Sequence, residues 1–171
     1  MPSPLDTIVE DIRLALKSGA YYSALSTSLT LPEVCACLAI PGGASTGQAS
    51  AKYQAWYNAN FAQKYPNLTA LDCWCLRCGV LHQGRMGHGR MQYERVLFTL
   101  PNAQNNYFHN NIINDALNLD AVTFCEDIIT TSLGWYVANK ADPVVIQNVL
   151  LLVQMRPNGL APYMVGMPLI S

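Results

Sequence analysis

The sequence predicts a mainly α fold, a helical bundle with a small β hairpin or strand pair. Three observations predict it: apolar residues recur at helical spacing through most of the chain, capping residues stand in front of several of those runs, and a single β-leaning stretch interrupts them. Leu5, Ile8, Ile12 and Leu16 form the first stripe, with Asp6 as its N-cap and Glu10 and Asp11 near the positive end of the helix dipole. That helix ends at Ser18-Gly19. The next run, over 20–38, is apolar around much of its circumference and belongs in a core, with Pro32 opening a new turn or making a kink.

The Pro-Gly-Gly-Ala-Ser-Thr-Gly stretch at 41–47 is a loop by composition, and 51–63 is a helix whose Tyr53, Trp56, Tyr57 and Phe61 serve packing. Thr69 with Asp72 three positions on makes a capping-box start, and Gly84 is a natural residue just past a helix end, so 73–82 lie on one helix. A glycine-rich basic loop follows, and 93–100 leans to β until Pro101-Asn102. The asparagine-rich stretch to Asn114 reads as loop or hairpin, and 116–119 as a short returning strand. Asp120 caps a helix to about 139, with Val122, Cys125, Ile129 and Leu133 on its stripe; Asp142-Pro143, an N-cap followed by proline, opens another to about 155. From Pro157 the tail shows no periodicity and is expected to run extended or to dock on a neighbour.

A chain of 171 residues hides roughly 70% of its unfolded surface in one core, so neither disulfides nor a metal is needed for folding. One domain is expected over 1–171: a helical core over about 5–155, a basic loop and β insertion over about 84–119, and the tail. With 51% hydrophobic and 12% charged residues, the chain is not a disordered one, and few ionic groups remain to organise its surface, which favours a partner or an oligomer interface. No apolar run approaches the roughly 20 residues of a membrane span. Acids at Asp6, Glu10 and Asp11 oppose the basic start of a secretion signal, so a cytoplasmic setting is expected, with six cysteines kept as reduced packing thiols.

Charge is distributed unevenly. Between positions 77 and 95, Arg77, Arg85, Arg90 and Arg95 stand against the single acid Glu94, whereas 96–139 hold Asp115, Asp120, Glu126 and Asp127 and no lysine or arginine. Arginine's planar fork suits bidentate phosphate contact; the plainer alternative is a solvated face.

The end of the fourth helical segment reads Leu76-Arg77-Cys78-Gly79-Val80-Leu81-His82-Gln83-Gly84. This resembles the R-x4-6-H helix motif of the HEPN family (higher eukaryotes and prokaryotes nucleotide-binding domains), and the resemblance spans roughly residues 5 to 140. It implies a small helical bundle that dimerises, and a metal-independent endoribonuclease or RNA-binding protein without a cofactor, in a bacterial or phage defence or stress system. An antitoxin or another protein is the kind of partner that goes with it. Arg77 and His82 take the catalytic positions, with Arg85, His88 and Arg90 as contacts to flanking phosphates. The family often has Asn, Asp or His after the arginine, and Cys78 stands there instead, so the alternative is a catalytically silent dimerisation or protein-interaction module.

The residue types suit the chemistry. Cleaving RNA without a metal needs a base for the ribose 2′-hydroxyl, an acid for the leaving oxygen, and positive charge beside the phosphate; imidazole and guanidinium supply these near neutrality. Positions five apart on a helix differ by about 500°, or about 140° around the axis. One straight helix is therefore expected to aim the two side chains apart, so the site would need fraying at His82 or a second copy of the helix across a two-fold axis. The plainer alternative pairs Arg77 with Asp72 and has His82 cap carbonyls.

Cys73, Cys75, Cys78 and His82 imitate a zinc pattern, but Cys73 and Cys75 fall about 200° apart on a helix, so no metal is expected. A nucleophilic Cys78 with His82 would sit among Trp74, Val80 and Leu81, an apolar setting that raises a thiol pKa. His109 falls in a loop and reads as a surface residue. The chain has no phosphate-binding G-x-x-x-x-G-K-[ST] loop, no dinucleotide-binding G-x-G-x-x-G after a strand and no G-x-S-x-G nucleophile elbow.

Overall fold

The computed structural model describes residues 3–86 and 89–171. Five helices come first: α1 (Asp6–Lys17), α2 (Tyr21–Ser28), α3 (Leu31–Leu38), α4 (Ala49–Asn60) and α5 (Ala70–Gln83). The strands β1 (Arg95–Thr99), β2 (Asn111–Ile113) and β3 (Ala116–Asp120) follow, then α6 (Ala121–Asn139) and α7 (Pro143–Asn148). The mainly helical expectation with a small β addition is met.

Local signals decide many of the boundaries. Thr69 Oγ1 accepts from the Asp72 N–H at 3.1 Å while an Asp72 carboxylate oxygen accepts from the Thr69 N–H at 3.2 Å, which completes the capping box of α5. At the other end Gly84 is left-handed, with φ of 62°, a conformation a Cβ would oppose. Asp120 and Asp142 cap α6 and α7 through the Thr123 and Val144 N–H groups at 2.8 and 2.7 Å.

Four expectations need correction. Asp6 is the first helical residue rather than the cap: its N–H donates to the Ser3 carbonyl, and the Ser3 hydroxyl takes the Leu5 N–H. The run over 20–38 is two helices, broken at Leu29-Thr30, with Pro32 in the first turn of the second, where its missing N–H costs nothing. α7 stops at Asn148 and a 3-10 turn, Val149–Leu151, because the Asn148 amide turns inward to the carbonyls of Leu38 and Ile40 at 2.9 and 2.7 Å. The sheet has three strands in the order β1-β3-β2, and β1 runs parallel to β3 with Val96 opposite Leu117. Within this sheet β2 and β3 form the hairpin. Its two turn residues, Asn114 and Asp115, have φ of 50° and 59°, the pair of positive angles a type I′ turn demands.

The core is formed where α6, buried along one face, packs on α2 and α3, while Leu76 and Val80 of α5 close it from the side. Phe61 stacks on Tyr65 at 4.7 Å between centroids and meets Phe124 edge-on, tying the end of α4 to α6. Arg13 and Lys64 reach Glu126 and Asp127 of α6 at 3.0 and 2.5 Å, which uses two acids of the cation-poor 96–139 stretch. Beyond α7 the tail folds on itself: β4 (Met155–Arg156) pairs with β7 (Leu169–Ile170), and β5 (Gly159–Leu160) with β6 (Met164–Val165). No residue of 153–171 is buried.

Candidate functional site

α5 carries the motif, and its neighbours hold it still. The Tyr22 hydroxyl donates to the Val80 carbonyl at 2.8 Å, the Tyr53 hydroxyl meets Cys73 Sγ at 3.2 Å, and Asp72 also accepts the Gln92 N–H at 2.9 Å. The last of these pins the chain that leaves the basic loop against the start of the same helix. Burial pushes the thiols of Cys35 and Cys73 up to about 12 and that of Cys125 up to about 11, so these three are inert packing groups. All six cysteines are free, and only Cys37 and Cys78 are half-buried rather than buried.

Arg77 and His82 come together within one subunit. Arg77 Nη1 lies 3.1 Å from His82 Nε2. Arginine has no lone pair to offer, so a hydrogen bond here has Arg77 as donor and requires Nε2 to accept, with the ring proton on Nδ1. The helix is not frayed, since α5 runs to Gln83. The 140° separation is overcome by the length of the arginine side chain, whose guanidinium lies 5.0 Å from the centroid of the Trp74 ring, three residues back along the helix.

The same guanidinium has a second partner that the motif does not contain. Arg77 Nη2 stands 2.6 Å from an oxygen of Glu33 on α3, and the side chains are 17% and 19% exposed. The approach is ionic rather than aligned as a hydrogen bond, and Arg77 Nε is buried with no acceptor among the described residues. Asp72, the partner that the sequence offered, is engaged by Thr69 and Gln92 instead. Glu33, Arg77 and His82 thus form a line across α3 and α5, with His82 at its exposed end.

Behind that line lies a cavity of about 340 Å³ between α3, α5 and the end of α7, walled mainly by Val34, Cys37, Leu38, Leu151 and Leu152. Gly43 closes one side. Its φ is +69°, and a Cβ there would meet a Leu151 methyl at 3.1 Å. Thr30, Glu33, Arg77 and Asn148 are the polar residues on the wall.

No family model, curated protein or solved structure matches this chain. The site therefore rests on its own geometry. Arg85 is exposed and lines two depressions with Glu94, one of about 360 Å³ also bounded by Arg95 and Val96 and the other by Gln83 and Asp115. Neither depression includes Arg77, and the cavity behind Arg77 includes neither Arg85 nor Arg90. Arg90 is exposed and near Cys75, whose thiol burial raises and Arg90 lowers, the first effect winning. His88 lies outside the described residues. His109 is half-buried, edge-on to Tyr65, and its Nδ1 accepts the Asp120 N–H at 3.0 Å, so it helps position the start of α6 rather than lying free on the surface.

Proposed function

We propose that the chain is a metal-independent endoribonuclease of the HEPN kind, with Arg77 and His82 as its catalytic pair. The observation that carries this is the 3.1 Å contact between Arg77 Nη1 and His82 Nε2 at an exposed helix end beside a cavity. At rest the Nε2 lone pair is held by the guanidinium. A phosphate arriving at Arg77 takes those N–H groups and releases the lone pair, so binding and activation of the base are one event. His82 Nε2 then removes the proton of a ribose 2′-hydroxyl, the 2′-oxygen bonds to the adjacent phosphorus, and the bond from phosphorus to the next 5′-oxygen breaks. That oxygen takes a proton from water or from the imidazole of a second copy. The products are a 2′,3′-cyclic phosphate and a 5′-hydroxyl, with Arg77 offsetting the charge on phosphorus-bound oxygen.

A dimer belongs to this reading. The tail exposes Met155, Tyr163, Val165, Met167 and Ile170 by more than half each and carries one charged side chain, Arg156, which suits burial against a second copy. Arg85, His88 and Arg90 supply contacts to flanking phosphates. One observation favours a second reading, a silent interaction module: Glu33 already neutralises Arg77 at 2.6 Å.

Purified protein on end-labelled single-stranded RNA in EDTA separates the two. Cleavage that falls by about a hundredfold or more in both Arg77→Ala and His82→Ala supports the catalytic pair. Undiminished cleavage in both variants removes the pair from the mechanism, and an inert wild-type protein leaves the silent module.

A further inference from the structure

We infer that the cavity behind Arg77 receives a guanine base, which, on the reading proposed above, belongs to the nucleotide being cleaved. Its volume of about 340 Å³ sits at the small end of the ligand-pocket range of ~300–1,000 Å³, enough for a base and not for a folded chain. The walls are aliphatic, with no aromatic ring to stack on, so recognition falls to the polar atoms at the rim.

Most of those atoms are already spent. The Thr30 hydroxyl donates to the Thr27 carbonyl at 2.7 Å, and the Asn148 amide donates to the carbonyls of Leu38 and Ile40. What remains is the Asn148 Oδ1 acceptor, Glu33, whose carboxylate accepts only, and Arg77, which donates only. Because Arg77 offsets the charge of Glu33, the rim favours a neutral donor over a cation. It calls for a flat ligand with N–H groups beside a carbonyl. The Watson–Crick edge of guanine presents two adjacent N–H donors next to one carbonyl oxygen, which matches a carboxylate beside a guanidinium. Adenine and cytosine offer one amino group beside a bare ring nitrogen, and uracil places a carbonyl against the carboxylate.

Position links the base to the chemistry. One guanidinium touches Glu33 through Nη2 and His82 through Nη1, so a base edge at Glu33 and a ribose hydroxyl at His82 fall within a single nucleotide. Glu33 is thereby a specificity residue that the motif does not include.

Cys37 lines the cavity and Cys78 does not, so alkylation reads occupancy without any need for cleavage. The intact protein is treated with iodoacetamide and each of the four nucleoside 5′-monophosphates, and labelled peptides are counted by mass spectrometry. Guanosine monophosphate is expected to slow labelling of Cys37 at least fivefold, with Cys78 unchanged and the other three nucleotides within twofold of no ligand. Protection should vanish in Glu33→Gln and in Val34→Trp, which fills the cavity; each variant is checked for native helicity by circular dichroism. No protection, equal protection by all four, or protection that survives both folded variants overturns the assignment. Protection in a protein that cleaves no RNA retains the guanine site and defeats the nuclease reading alone, whereas cleavage without protection defeats the guanine site alone.

Discussion

Replacing Glu33 by glutamine tests whether the ion pair is part of the architecture of the site. Breaking a fully buried pair costs ~3–5 kcal/mol and an exposed one at most ~1 kcal/mol. With side chains 17% and 19% exposed and a 2.6 Å approach, the Glu33–Arg77 pair lies between these limits, so about 2 kcal/mol is expected. Glutamine keeps the volume, and no cavity contribution enters. At this chain length 1 kcal/mol moves Tm by roughly 2–4 °C, which places Glu33→Gln about 4–8 °C below the parent. Thermal melts of the parent, Glu33→Gln, Arg77→Gln and the double variant close a cycle that isolates the pair from effects of either residue alone. A coupling above about 1 kcal/mol is expected; one below about 0.5 kcal/mol refutes the claim that Glu33 holds Arg77.

Asp72→Ala removes the carboxylate that accepts from the backbone of both Thr69 and Gln92 at a position 1% exposed, so a loss of about 1–3 kcal/mol is expected in urea titrations, and a loss under about 0.5 kcal/mol would contradict the cap. Burial holds the His109 imidazole below its usual 6.5, against Asp127 and Asp120, which raise it, and with Lys64, which lowers it. A depressed folded pKa means that the unfolded chain binds the extra proton first, so the contribution of His109 is present above about pH 6.5 and is lost as pH falls through the folded value. His109→Gln should flatten the acid side of the pH–stability profile, and an unchanged profile would clear His109 of that role. Deleting 153–171, where no residue is buried, should leave the melting temperature of the body within about 4 °C while light scattering shows weakened self-association; a dimer that survives the deletion would place the interface elsewhere.

Features decided within one turn of chain were legible before the structure. Thr69 with Asp72, Gly84, Asp120 and Asp142-Pro143 each mark a helix end through contacts among residues a few positions apart, and each stands where its chemistry put it. The length of α7 was not legible, because it depends on Asn148 reaching the Leu38 and Ile40 carbonyls, at and just past the end of α3 and more than a hundred positions away. Nor was the parallel pairing of β1 with β3, which the alternation in either strand leaves open. Glu33 belongs to the same class, though it left a trace: it is the one acid between Asp11 and Asp72, set in an otherwise apolar helix. A carboxylate partly withdrawn from water needs a cation, and an arginine in a second apolar helix is the kind of partner that answers it.

Arg77 and His82 meet despite the roughly 140° between them on the helix because the arginine side chain reaches well beyond the direction in which its Cβ is aimed. An arginine carries its charge several bonds from its Cα, and here that length is used to cross the helix face from Glu33 to His82 with the Trp74 ring beside it. The consequence is a guanidinium with two occupied faces. On the proposed reading, a phosphate that binds Arg77 competes with a carboxylate and an imidazole, and displacing the imidazole frees a base. If the carboxylate also yields, its lone pairs become available to a donor edge in the cavity behind it. The closed, charge-neutral arrangement is thus the resting form expected of a site that engages a phosphate and its base together, and Glu33→Gln should uncouple them: phosphate affinity at Arg77 rises by fluorescence anisotropy on abasic oligonucleotide, while discrimination between guanine and other bases falls. Equal loss of both would mean that Glu33 only keeps Arg77 in place.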